Sequence, residues 1–136
     1  MKDEEIKDTL QNCRTVAVVG ISPKEDRPSY GVASYLKSKG YRIIPVRPEG
    51  DEILGEKVYH SLTEIPWGVE IDVVDIFRKS EDVPPVVEEA IHRGAKVVWM
   101  QEGIINQEAS AKAEKAGLKV VTDRCMKKEH QKLLGQ

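Results

Sequence analysis

The feature that most constrains the fold of this chain is a series of short apolar runs in which polar and apolar residues do not alternate. The runs begin at Val16, Ile43, Val73, Val97 and Val120 and span residues 16–19, 43–46, 73–76, 97–100 and 120–121. A strand that is apolar on both sides is buried on both faces of its sheet, as in parallel sheets covered by helices. We therefore predict a parallel sheet of about five strands.

Helical patterns separate these runs. Two segments place their apolar residues on a single helical face: Val83, Val86, Val87, Ala90 and Ile91 in one, and Ile105, Ala109, Ala113 and Ala116 in the other. Glycines at 40, 94 and 117 mark helix ends just before strands. We predict N-caps at Ser80 and Asn106. Further helices are expected over residues 3–12 and 127–134, with a short one at residues 62–64.

Strands that alternate with helices predict the α/β class. We expect a Rossmann-like, doubly wound parallel sheet in three layers, α/β/α, with the strand order 3-2-1-4-5. The 136 residues contain no repeat, linker or low-complexity stretch, so a single domain over residues 1–136 is expected.

Composition limits the partners of the chain. The net charge of −2 gives no general attraction to nucleic acid or to anionic membranes, and no apolar run approaches the length of a membrane span. The acidic start, residues 1–5, lacks the features of a signal peptide, so we expect a cytoplasmic protein. The two cysteines, Cys13 and Cys125, are too few for a disulfide framework and lack C-x-x-C spacing.

Ligands of open parallel sheets bind beyond the carboxyl ends of the strands. The first strand exits into Gly20, Ser22 and Pro23, and a segment containing Arg27 then leads into a helix. The start of a helix offers free N–H donors to an anion, although such a loop can also serve only to turn the chain. The spacing G-x-G-x-x-G is absent, which argues against an ordinary NAD site.

The next exits suggest a phosphorylated nucleotide. Arg47 stands where NAD enzymes usually carry an acidic residue for the ribose, so a ribose phosphate is indicated, and both NADP and coenzyme A fit. At the third exit Phe77 and Arg78 suit adenine and phosphate, or else close the core and face solvent. Gln101 and Gly103 at the fourth exit could offer polar groups to an amide-containing arm.

Taken together, these exits resemble the small stand-alone CoA-binding proteins related to the CoA-binding domain of the succinyl-CoA synthetase alpha subunit. The resemblance runs nearly end to end. It rests on Val18-Val19-Gly20-x-Ser22, Tyr35-Leu36 with Gly40-Tyr41, Pro45-Val46-x-Pro48, Gly55, Ser61-Leu62-x-x-Ile65-Pro66, Asp72 with Phe77-Arg78, Trp99-Met100-Gln101-x-Gly103-Ile104, and Asp123-Arg124-Cys125 with Glu129-His130. The family usually has Asn where this chain has Arg47.

The resemblance implies coenzyme A as the cofactor. By position it implies a phosphate cradle of Gly20, Ser22, Pro23, Arg27, Ser29, Tyr30, Gly31 and Val32; an adenosine side of Val46, Arg47 and Pro48; nucleotide flanks Phe77 and Arg78; and a pantetheine side of Gln101 and Gly103. Ligase chemistry in the synthetase depends on a further domain with a phosphorylated histidine, so the resemblance implies binding without ligation.

No catalytic or metal-binding residues are predicted, because His60, His92 and His130 lack partners at the spacing of a triad or metal site. The leading function is a non-catalytic module that binds CoA or an acyl-CoA. An enzyme or enzyme subunit using NADP or acyl-CoA is the alternative, and a scaffold with a vestigial pocket is a third. Cys125 follows the last strand on the ligand side, so it is a candidate for a mixed disulfide with CoA.

Overall fold

The five apolar runs form one parallel sheet in the computed structural model, which describes residues 1–135. The sheet strands are β1 (Thr15–Val19), β2 (Arg42–Val46), β5 (Val73–Ile76), β6 (Val97–Met100) and β7 (Lys119–Val121). Two further strands, β3 (Glu52–Ile53) and β4 (Glu56–Lys57), pair antiparallel in a small separate hairpin. Every residue of β1, β5 and β6 is buried, as expected for strands covered on both faces.

Helices cover both faces of the sheet. They are α1 (Asp3–Asn12), α2 (Pro28–Ser38), α3 (Val83–His92), α4 (Gln107–Lys115) and α5 (Met126–Leu133), with 3₁₀ turns at Leu62–Glu64 and Ser80–Asp82. Apolar residues of α1, α2 and α5 pack on one face, whereas those of α3, α4 and the first 3₁₀ turn pack on the other. The predicted three-layer α/β/α, Rossmann-like class is confirmed.

One of the two predicted N-caps is confirmed and the other is wrong. Asn106 caps α4, because its side chain accepts a hydrogen bond from Ala109 N at 2.9 Å. Ser80 instead begins a 3₁₀ turn, and α3 starts only at Val83. The N-cap position of α3 is therefore Asp82, two residues beyond Ser80. Because the second and third helical residues are Pro84 and Pro85, no N–H is available there to a capping side chain.

The predicted strand order is also wrong. The sheet runs β2-β1-β5-β6-β7, so its strands follow the order 2-1-3-4-5 and the third strand lies beside the first. The chain that leaves β2 folds back on the outer edge of that strand, where Tyr59 N donates to Pro45 O and Arg47 N donates to Tyr59 O, both at 3.0 Å. Tyr59 therefore occupies the position in which a third strand would have paired.

This order places the reversal of the sheet between β1 and β5. Phe77 N, just beyond β5, donates to Val19 O at 2.8 Å, and Gly20 N donates to Val46 O at 2.9 Å. The exits of β1, β2 and β5 are thus tied together by main-chain hydrogen bonds. Ligands of doubly wound sheets bind in the crevice at such a reversal.

Among residues 1–135, no helix is long and apolar enough to cross a membrane.

Candidate functional site

A cavity of about 610 Å³ opens beyond the exits of β1, β2 and β5. We call it the cationic cavity. Its lining residues are Gly20, Ser22, Pro23, Lys24, Arg27, Pro28, Ser29, Arg47, Phe77, Arg78, Lys79 and Ile104. They come from three connections that are distant in sequence and meet only because the strands are parallel.

The cationic cavity is lined by five basic side chains and by no carboxylate: Lys24, Arg27, Arg47, Arg78 and Lys79. Within the described chain, none of these five side chains forms an ion pair or a hydrogen bond with another residue. The whole chain carries a net charge of −2, so this concentration of positive charge is local. A ligand with several phosphate groups is the complement of such a cavity.

The amino end of α2 faces this cavity. Arg27 is the N-cap residue and Pro28 is the first helical residue, which suits proline because its missing N–H would be unpaired there. The next two N–H groups, of Ser29 and Tyr30, make no hydrogen bond within residues 1–135. They add two donors and the positive end of the helix dipole to the anion site.

Hydroxyl groups shape the loop that precedes α2. Ser29 is buried, and its Oγ accepts a hydrogen bond from Ser22 N at 2.9 Å. The Oγ of Ser22 in turn accepts one from Lys24 N at 3.1 Å. These side chains fix the loop. Because the Ser29 hydroxyl accepts in this bond, its O–H as well as its backbone N–H is left to donate to an anion.

Phe77 divides the crevice into two connected spaces. Its ring packs against the core on the side of α1, α2 and α5, and it lines both the cationic cavity and a second cavity. We call the second space, of about 740 Å³, the adjoining cavity. Its lining residues are Glu25, Asp26, Arg27, Pro28, Gly31, Val32, Phe77, Gln101, Glu102, Ile104, Cys125, Lys127, Lys128 and Gln131. Basic and acidic residues both line it, unlike the cationic cavity.

Hydrogen bonds from β6 and its exit hold the floor of the adjoining cavity. Gln101, only 4% exposed, accepts from Met126 N through Oε1 at 3.1 Å, and Trp99 Nε1 donates to Arg124 O at 2.9 Å. These two bonds fix the main chain on both sides of Cys125. The Gln101 amide nitrogen has no hydrogen-bond partner in the described part of the chain and remains available to a ligand.

The turn after Gln101 is tied to the connection after β7. Gly103 N donates to Asp123 Oδ1 at 2.7 Å, and Asp123 adopts a positive φ of 54°, a conformation that Asp tolerates better than most residues. At the rim, Lys128 Nζ lies 2.9 Å from Glu102 Oε1. The Glu102 carboxylate raises the pKa of Lys128, and the sulfur of Cys125 adds a smaller effect in the same direction.

The structure gathers most of the residues predicted from the sequence around these two cavities. Gly20, Ser22, Pro23, Arg27, Ser29, Arg47, Phe77 and Arg78 line the cationic cavity, and Arg27, Gly31, Val32, Phe77 and Gln101 line the adjoining cavity. Four predicted residues line neither: Tyr30, Val46, Pro48 and Gly103. Val46 is in the core, Pro48 is exposed, and the N–H of Gly103 is already bound to Asp123.

The site residues predicted from the sequence omit several residues that line the cavities. Lys24, Lys79 and Ile104 line the cationic cavity, and Lys127 with Lys128 lines the adjoining one. Lys24 and Lys79 directly follow Pro23 and Arg78, so their proximity to predicted positions was an available signal. Lys127 and Lys128 follow Cys125, which the sequence places on the ligand side, but only the fold shows that their helix reaches the crevice.

A family comparison identifies this arrangement. Residues 14–131 match the model of the CoA binding domain, which covers every strand of the sheet and both cavities. The chain belongs to the CoA binding domain family. This assignment confirms the resemblance noted in the sequence.

Relatives of this CoA-binding-domain chain fall into two sizes. It is 44% identical over 126 residues to the uncharacterized protein YneT of Bacillus subtilis, a match that covers 93% of this chain and 92% of YneT. It is 38% identical over 97 residues to the alpha subunit of an ADP-forming acetate–CoA ligase of Pyrococcus furiosus, covering 67% of this chain. That match spans only 21% of the ligase subunit.

Solved structures agree with the fold. A hypothetical protein from Pyrococcus horikoshii superposes with a TM-score of 0.95 at 46% sequence identity, covering 99% of this chain and 94% of that protein. A protein redesigned for binding gives a TM-score of 0.96 at 41% identity, covering 100% of this chain and 94% of the redesigned chain.

Proposed function

We propose that this chain is a single domain that binds coenzyme A across the two cavities and has no catalytic activity of its own. The observation that carries the proposal is the cationic cavity, in which five basic side chains converge without a carboxylate. Coenzyme A carries a diphosphate and a ribose 3′-phosphate at one end. Membership of the CoA binding domain family supports the same ligand.

The two cavities suit the two halves of coenzyme A. The cationic cavity takes the phosphorylated adenosine, with the amino end of α2 at the diphosphate and Arg47 at the ribose phosphate. The adjoining cavity shares Arg27, Pro28, Phe77 and Ile104 with it, so an arm attached to the diphosphate passes directly from one to the other. The free amide nitrogen of Gln101 faces the amide groups of that arm.

NADP is the alternative ligand, because a ribose phosphate beside Arg47 does not distinguish the two cofactors. The adjoining cavity favours coenzyme A, since a flexible amide-containing arm fits a space of about 740 Å³ that has a free amide donor at Gln101. If NADP were bound, its nicotinamide riboside, a second sugar with a ring, would extend past Phe77 in place of this arm.

Absence of catalysis is proposed from the relatives. The match spans only 21% of the ligase subunit of Pyrococcus furiosus, so most of that subunit has no counterpart in the matched segment. The match to YneT covers 92% of that protein, so a relative of about the same size consists almost entirely of this domain. We therefore propose binding, storage or presentation of CoA or an acyl-CoA within the cell as the role.

Native mass spectrometry of the protein purified without added ligand tests this proposal. We expect a bound species with the mass of CoA or an acyl-CoA, which is released on denaturation. A bound NADP, or a protein that stays empty after incubation with CoA, would contradict the proposal. Arg47→Ala and Arg78→Ala together should reduce the bound fraction, whereas the exposed Arg14→Ala at the opposite edge of the sheet should not.

A further inference from the structure

Cys125 occupies a defined position at the end of the adjoining cavity. It is the N-cap residue of α5, its side chain makes no capping hydrogen bond, and it lines the cavity although it is only 9% exposed. The other cysteine, Cys13, lies at the end of α1 before β1, on the opposite edge of the sheet. Cys125 therefore supplies a thiol to the adjoining cavity, and Cys13 does not.

Two side chains at the end of β6 fix the main chain around Cys125. Trp99 is fully buried, and Gln101 is only 4% exposed. The Trp99 side chain donates to Arg124 O and the Gln101 side chain accepts from Met126 N, so the main chain is bound on both sides of Cys125. Gln101 also keeps an unpartnered amide nitrogen in the same cavity. This donor, on a side chain that is only 4% exposed, suits a polar ligand group in the adjoining cavity, as an amide carbonyl of the pantetheine arm would provide.

Two lysines and a helix N-terminus lie near Cys125, and the Glu102 carboxylate pairs with one of these lysines. The first turn of α5 carries Lys127 and Lys128, and both line the adjoining cavity. The helix itself begins at Met126, so Cys125 lies at its positive end. Disulfide exchange requires a thiolate as the attacking group, and a ligand held in the same cavity would bring its disulfide close to this sulfur.

We propose that Cys125 exchanges with disulfides of coenzyme A bound in this crevice. The inference rests on the proposed function. The Cys125 thiolate attacks the CoA sulfur of a disulfide CoA–S–S–R; the S–S bond breaks, a bond forms between Cys125 and CoA, and RS⁻ leaves and takes a proton. The disulfide substrate is the oxidant, so no further reagent is required. A small thiol reverses the step by the same exchange.

Intact-mass measurement of the full chain, with symmetrical CoA disulfide as the probe, tests the proposal. We expect one CoA adduct per chain, present in Cys13→Ser, absent in Cys125→Ser and removed by dithiothreitol. Glutathione disulfide, which lacks the nucleotide, should react at least about tenfold more slowly because binding does not position it. Excess desulfo-CoA, in which hydrogen replaces the thiol, should suppress the reaction with CoA disulfide.

The outcomes separate this inference from the proposed function. If calorimetry shows CoA binding but Cys125 stays unmodified, or reacts equally with glutathione disulfide, the inference is wrong and the binding function stands. If CoA does not bind, the proposed function fails and the exchange fails with it. Cys125→Ala provides a second variant should Cys125→Ser fail to fold, and retention of the adduct in either variant would also overturn the inference.

Discussion

The main-chain carbonyl of Phe77 occupies the space into which a side chain at Gly20 would project. Gly20 also adopts a φ of +87°, a conformation that residues with a Cβ rarely adopt. The close approach joins the exits of β1 and β5, where the sheet reverses and the two cavities meet. The geometry of the candidate site therefore depends on the absence of a side chain at one position.

Gly20→Ala should destabilise the protein and weaken CoA binding. The positive φ alone costs about 1–3 kcal/mol for a residue with a Cβ, and the collision with Phe77 adds to it. Chemical denaturation measures the loss of stability, and calorimetry measures the loss of affinity.

Gly31→Ala is the matched control for stability, because Gly31 lies in α2 with open space around it. We expect its free energy of unfolding to be unchanged or raised by up to about 1 kcal/mol. Equal stability of Gly20→Ala and the wild type would contradict the account.

Asp75 should make the stability of the protein fall as pH rises. It is fully buried in β5, neither carboxylate oxygen has a hydrogen-bond partner in the described chain, and burial raises its pKa well above the ordinary value. The folded state therefore retains a proton that the unfolded chain has already released, so the stabilising contribution of Asp75 is complete only in acid.

Asp75→Asn removes this dependence without changing the shape of the side chain. From about pH 4, the ordinary pKa of an Asp carboxyl, toward neutral pH, the free energy of unfolding of the wild type should fall relative to that of the variant. Urea denaturation of both proteins across this range measures the difference. A difference that is constant with pH, or that changes in the opposite direction, would show that Asp75 does not titrate in this way.

Arg93 should hold the connection between β4 and β5. It is 8% exposed, and its guanidinium donates to Leu62 O at 2.5 Å and Ile65 O at 2.7 Å, and to Pro66 O and Val69 O at 3.2 Å. Trp67 stacks on it at 4.5 Å.

Arg93→Met leaves buried carbonyl groups without a donor and should cost about 3 kcal/mol of stability. Limited proteolysis should cut the variant earlier within residues 61–69. The exposed Arg14→Met is the matched control and should behave as the wild type. Unchanged stability and an unchanged cleavage pattern for Arg93→Met would remove the structural role assigned to this side chain.

Much of the fold could be predicted from the sequence, because strands buried on both faces and helices with one apolar face leave clear patterns. The strand order could not be predicted, since it depends on Tyr59 pairing with the outer edge of β2, and a single residue in a connection carries no periodic signal. The hairpin of β3 and β4 was missed for the same reason, because each strand has only two residues.

The candidate site could be predicted where the strand exits supply it directly. Arg47 and Arg78 follow β2 and β5, and both the predicted and the observed strand order keep these two exits close enough to share one cavity. The hydrogen-bond partners of Gln101 and Gly103 could not be predicted from the strand exits alone. Their groups bind Met126 N and Asp123 Oδ1, partners from the far end of the chain that only the folded structure places beside them.

Arg47→Ala should weaken the binding of CoA more than that of 3′-dephospho-CoA. Only the former carries the ribose phosphate assigned to Arg47, and loss of one charge-assisted hydrogen bond costs about 1.5–3 kcal/mol. Competitive titration of the two ligands measures the difference. Arg42→Ala is the matched control, because Arg42 begins β2 at the opposite end of the strand and is exposed. An equal loss for both ligands would place Arg47 away from the 3′-phosphate.

Calorimetric titration of the purified chain with CoA, and separately with NADP, tests the central claim most directly. We predict saturable binding of one CoA per chain, with an affinity that falls as salt is added, because the five cations of the cationic cavity are then screened from the phosphates. NADP should bind more weakly, since it carries a nicotinamide riboside in place of the flexible, amide-containing arm that suits the adjoining cavity. Saturable binding of NADP together with no binding of CoA would contradict the account.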